Sequence, residues 1–188
     1  MTAARIRLAA IIAAGLVAGS AGTAAATQHF APAPAPVRTV ALAAIGGIAY
    51  LPATFDLQPT ASGTWSTTGL GVTLPRRGTY DLDVNVRGRL TGTPVINTFI
   101  VARLWNATSG AVLPNSERLV DQIIDSNPGA ASTGDNTTAP ISERITVNGP
   151  TRIWLQAKRV NAAGASTAAS IYSDANGLTS FRYEMVSP

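Results

Sequence analysis

The stretch "LPRRGTYDLDVNVRGRL", residues 74–90, sets the fold. From Tyr80 onward every second residue is apolar or small: Tyr80, Leu82, Val84, Val86, Gly88 and Leu90. Asp81, Asp83, Asn85, Arg87 and Arg89 fill the positions between. A period of two belongs to a β-strand with one face in a core and the other in water. Pro75-Arg76-Arg77-Gly78 just ahead has the composition of a tight turn.

Working outward, the same signals recur. Residues 65–74 form a strand before that turn, and residues 41–57 hold one or two short strands broken by Gly46-Gly47 and Pro52. Residues 95–110 are strand-rich and apolar on both sides. Ile96, Ile100, Ala102 and Leu104 lie on one side, and Val95, Phe99, Val101 and Trp105 on the other. Further strands are predicted at 117–124, 141–147, 152–160, 168–173 and 179–186, with Gly, Asn, Pro and Ser between them. No sustained 3.6-residue apolar period follows the N-terminal segment. Eight to ten strands at this spacing predict an all-β sandwich or barrel of antiparallel strands.

Ahead of these strands the chain changes character twice. Residues 1–26 have the three parts of a secretory signal: Arg5 and Arg7, the apolar "LAAIIAAGLVAG", and small residues ending in Ala24-Ala25-Ala26. Cleavage before Thr27 is expected; an uncleaved anchor and an amphipathic helix are the alternatives. Residues 27–42 contain "APAPAP", an extended, semi-rigid spacer. Residues 43–188 are the expected globular domain. Loss of residues 1–26 removes Arg5 and Arg7 and lowers the net charge from +4 to +2. A secreted protein with no stable membrane span after cleavage is the expectation.

Composition narrows the chemistry. There is no cysteine, so thiolate catalysis and Cys-based zinc sites are excluded. His29, the single histidine, precedes the spacer, which leaves the globular part without an imidazole base for a Ser-His-Asp triad. Basic residues are scattered, with no run longer than Arg76-Arg77, and nucleic acid is not an expected partner. Asp81 and Asp83 are about 6.7 Å apart along one strand face, a spacing of interest for a glycosidase. Arg87 and Arg89 on the same face favour surface salt-bridging instead. A polysaccharide hydrolase is thus the weakest of the functional classes.

"GVTLPRRGTY" (71–80), "ARLWNATSGAVLPNSE" (102–117) and the closing "TSFRYEMV" (179–186) occur together in a known pattern. Residues 43–188 resemble the tumour-necrosis-factor-like jelly rolls, which include the globular heads of complement component 1q and bacterial and phage relatives. No collagen-like repeat precedes the domain here. The resemblance implies a ten-strand sandwich, a homotrimer around a three-fold axis, and a binding or structural role without catalytic residues. A secreted or surface-displayed module and a phage fibre tip are both compatible with it.

Three sets of residues are candidates. Trp154, Gln156 and Lys158 share one strand face, where an aromatic beside an amide and a cation suits a glycan or protein ligand. A subunit contact or a lid on the core is the other possibility for Trp154. Phe99, Val101 and Trp105 are candidates for a subunit interface, because an apolar outer face on a lone sandwich would be exposed. Residues 121–136 are rich in oxygen ligands and Gly, which makes Asp121, Asp125 and Asp135 weak calcium candidates in an expected loop. No other cofactor is expected. Asn106-Ala107-Thr108 and Asn136-Thr137-Thr138 match the glycosylation sequon.

Overall fold

The computed structural model describes residues 45–129 and 131–188. The signal-like segment, the Ala/Pro spacer and His29 lie outside the described residues.

The described chain is all β. Its strands are β1 (Gly46–Tyr50), β2 (Phe55–Asp56), β3 (Ser66–Leu74), β4 (Gly78–Gly92), β5 (Ile96–Asn106), β6 (Ala111–Val112), β7 (Arg118–Asp125), β8 (Thr133–Val147), β9 (Thr151–Ala163), β10 (Ser166–Ile171) and β11 (Ser180–Ser187). Eleven strands exceed the expected eight to ten because β2 and β6 are two-residue pieces. No helix among the described residues is long and apolar enough to cross a membrane.

Two antiparallel sheets form. In the first, β8 pairs with one side of β4 along its whole length. On the other side β11 takes one end of β4 and β10 the other, with β1 beyond β11 and β2 beyond β10. The second runs β3-β9-β5, with β7 and β6 sharing the far side of β5. The long pairings are nested: β1 with β11, β3 with β9, β4 with β8, and β5 with β7. First therefore meets last, as in one long hairpin rolled into two sheets, and this is a jelly-roll sandwich.

The alternation read in β4 is the core. Tyr80, Leu82, Val84, Val86 and Leu90 are buried, and so are Ile96, Ile100, Ala102 and Leu104 of β5 and Ile153, Leu155 and Ala157 of β9. Burying each large aliphatic side chain contributes roughly 1.5–3 kcal/mol before conformational entropy is counted. Tyr80 is fully buried, and its hydroxyl donates to the Arg76 carbonyl at 3.0 Å, which ties the turn to the strand it opens. At the other end, Arg159 points inward from β9. It donates to Gln58 (2.9 Å), Ser166 (3.3 Å) and the Thr60 carbonyl (2.8 Å), pinning residues 58–60.

Two sequence expectations are corrected. Residues 121–136 are not one loop, since 121–125 complete β7 and 133–136 begin β8. Salt bridges do form on the outer face of β4, but not between Arg87 or Arg89 and Asp81 or Asp83, because about 13 Å of strand separates even Asp83 from Arg87. Register decides the pairing. Asp81 lies opposite Arg144 of β8 and receives two hydrogen bonds from it, at 2.6 and 2.8 Å. Arg87 instead pairs with Asp174 at 3.0 Å and, like Arg89, lies over Tyr172.

Candidate functional site: the outer face of the second sheet

The two candidate sets on β5 and β9 prove to be neighbours. The antiparallel register places Trp105 opposite Trp154, Arg103 opposite Gln156, Val101 opposite Lys158, and Phe99 opposite Val160. The inward neighbours of these residues fill the core, so all eight side chains face outward. On one flank, β3 brings Gly71 beside Trp154 and Thr67 beside Gln156. On the other, β7 brings Leu119 beside Val101, Gln122 beside Phe99, and Ile124 beside Asn97.

This face has two halves. One is aromatic and cationic. The Arg103 guanidinium lies 3.9 Å from the Trp65 ring centroid, and the Lys158 ammonium lies 4.3 Å from the same ring. Arg103 Nε also donates to Gln156 Oε1 at 3.0 Å. Arg152 lies 4.1 Å from the Trp154 centroid and donates to the Thr73 hydroxyl at 3.0 Å. Trp154 can lie flat on β3 because residue 71 is Gly: a β-carbon there would run into the indole ring. The bulge between Thr67 and Gly71, with Gly69 at φ 86°, sets that register.

The other half is apolar. Phe99, Val101 and Val160 are half-buried, while Leu119 is 55% and Ile124 67% exposed. Trp105 thus belongs by position to the aromatic half, next to Trp154. Arg103 and Arg152 were not singled out from sequence as parts of one site. For Arg103 the signal was present, because it falls between Val101 and Trp105 in the outward alternation. Trp65 lies just before its strand, and only the fold shows how far its ring reaches.

The calcium candidates sit elsewhere. Asp121 and Asp125 both face inward from β7 with Ile123 between them, and Asp135 lies opposite Leu90 on β8. Among the described residues no group of three acidic or imidazole side chains comes together at metal-binding distance. Asp121 is 2% exposed and neither carboxyl oxygen has a hydrogen-bond partner among the described residues. Burial, with a smaller push from Asp135, raises its pKa to about 6. The Gln122 amide and the Thr137 hydroxyl act weakly the other way without making a hydrogen bond to it; Thr137 donates to the Val120 carbonyl instead.

Asp81 and Asp83 each have a separate partner on β8. The Arg144 guanidinium holds Asp81 below the usual carboxylate range, the wrong direction for a general acid at neutral pH. Asp83 accepts a hydrogen bond from Ser142 at 2.8 Å on the open surface. The depression that contains both is also lined by Leu82, Ser142, Glu143 and Arg144, and Glu143 is paired with Arg118 at 3.3 Å.

Fold and site together define a jelly-roll module with one chemically distinctive sheet face. No family model matches the chain, and no curated protein matches it. Among solved structures it is similar to the VP2 subviral particle of infectious bursal disease virus, at 14% identity and TM-score 0.45, covering 76% of this chain and 32% of that one. The Gx strain of the same virus gives 15% identity and TM-score 0.45, covering 76% and 33%. The T13 particle of that virus gives 11% and 0.36, covering 77% and 40%. The chain spans about a third of the length of the first two viral proteins it matches.

Proposed function

We propose that this chain is a non-catalytic jelly-roll module, secreted or displayed at a surface, that works through the outer face of the β3-β9-β5-β7 sheet. The apolar half of the face holds copies of the chain together as a homotrimer, and the aromatic half meets a partner. The single observation behind this is the outward-facing apolar set of Phe99, Val101, Val160, Leu119 and Ile124 on three neighbouring strands, of which Leu119 and Ile124 are exposed. A lone soluble domain avoids an apolar patch of this kind, and a subunit contact removes it from water. The trimer itself is the state implied by the resemblance to the tumour-necrosis-factor-like jelly rolls, and export is implied by residues 1–26. Sedimentation equilibrium across a hundredfold concentration range tests the assembly. A mass of three chains supports it, and a monomer at every concentration overturns it.

A further inference from the structure

We propose that the aromatic half of this sheet face binds an acidic polysaccharide, recognised through carboxylate or sulfate groups. The inference builds on the reading of this sheet as the working surface, but uses the half that the subunit contact leaves open.

Charge carries the argument. Arg103 faces outward on β5, and Arg152 and Lys158 face outward on β9 at the two ends of the run Arg152, Trp154, Gln156, Lys158. One carboxylate answers them: Glu117, 3.6 Å from Arg103 and half exposed. Lys158 and Arg152 have no carboxylate within ion-pair distance among the described residues, where Asp81, Asp174 and Glu143 are each already paired with an arginine. Two cations sharing the Trp65 ring repel each other, and an anion placed against them relieves that repulsion.

The cations are also held in place. Ring contacts from Trp65 and Trp154, together with hydrogen bonds from Arg103 to Gln156 and from Arg152 to Thr73, fix side chains that are otherwise long and mobile. Less ordering therefore remains to be done on binding. Around them, the indole N–H groups of Trp65, Trp105 and Trp154 donate to no group among the described residues. Donors that point into solvent suit carboxylate, sulfate and hydroxyl oxygens.

The shape selects a polymer of sugars over the alternatives. β9 is interior to its sheet, with its backbone engaged by β3 and β5, so an acidic peptide cannot add as a strand alongside Lys158 and Arg152. All three indole rings already carry a cation on a face, which removes the open stacking platforms that single-stranded nucleic acid uses. A sheet face lined by cations, an amide and threonine hydroxyls suits an extended chain of acidic and hydroxylated units.

The test is isothermal titration of the purified full-length protein with polygalacturonate, dextran sulfate, uncharged dextran and a single-stranded oligonucleotide. Light scattering is run on the same samples. Binding to at least one acidic polysaccharide, weakening as salt rises, with none to uncharged dextran, is the expected result. The variant Lys158→Gln/Arg152→Gln loses at least tenfold in affinity while its mass is unchanged. No binding to either acidic polymer, equal binding to uncharged dextran, tighter binding to the oligonucleotide, or full affinity in the double variant overturns the inference. A trimer that binds no polysaccharide leaves the assembly reading standing and removes this one. A monomer that binds does the reverse.

Discussion

Asp121 of β7 packs on Gly88 of β4: a β-carbon at position 88 would come within 2.8 Å of the Asp121 Cβ and 2.9 Å of a Val120 methyl. This explains why the alternation of β4 passes through a glycine where another aliphatic residue would fit the pattern. β7 bulges between its pairings to Ile100 and Val101. The extra residue turns both Val120 and Asp121 inward, and β4 makes room for them.

Gly88→Ala therefore forces a methyl group into a filled space. The expected loss is about 1–3 kcal/mol, the usual range for overpacking. Urea denaturation of the two proteins measures it. An unchanged midpoint would show that β7 lifts away freely.

Asp121 also sets a pH dependence. Its folded pKa of about 6 lies above the ordinary 3.8, so between those values the folded protein keeps a proton that the unfolded chain releases. Stability falls as pH rises from about 4 to 6 and is level above. At 1.36 kcal/mol per pKa unit the loss is about 3 kcal/mol. Asp174, pulled down to about 2 by its hydrogen bond from Arg87, acts oppositely: its contribution is present above 3.8 and is lost as pH falls toward 2. The sum is a stability maximum near pH 4. Asp121→Asn removes the fall between 4 and 6, which denaturation midpoints at four pH values will show. A variant with the wild-type slope would place the titrating group elsewhere.

The strands that alternate were legible because half-buried strands write their periodicity into the chain. β4 is the clearest case, and β5 and β9 follow it. The first half of β8 was not legible. Residues 133–140, "TGDNTTAP", read as a turn, yet each pairs with β4. Here the partner imposes the extended form against local propensity, and Pro140 is tolerated because β8 is an edge strand of its sheet. The candidate site was legible as two fragments. Which strands lie side by side is a property of the fold, so the pairing of Trp105 with Trp154, and hence the single face, had no local signal.

Trp154 depends on Gly71. Gly71→Ala displaces the indole ring from β3 and frees Arg152. In a background where Trp65 and Trp105 are replaced by Phe, the emission of Trp154 shifts to longer wavelength as the ring gains water. An unshifted spectrum means that the ring is held by β9 alone.

Export makes a prediction of its own. Protein recovered from its native host begins at or near Thr27 by N-terminal sequencing. A mature chain that starts at Met1 contradicts cleaved secretion.

The central claim is that the apolar half of the second sheet's outer face joins copies of the chain. Leu119 is 55% exposed, so Leu119→Arg leaves the core of the single chain intact while placing a charge in the proposed contact. Breaking such an interface with an unpaired charge costs several kcal/mol, on the order of 3–5. The decisive measurement is the light-scattering mass of the wild type and of Leu119→Arg at the same micromolar concentration. Three chain masses for the wild type and one for the variant are predicted. A monomeric wild type, or a variant that keeps the wild-type mass, contradicts the account.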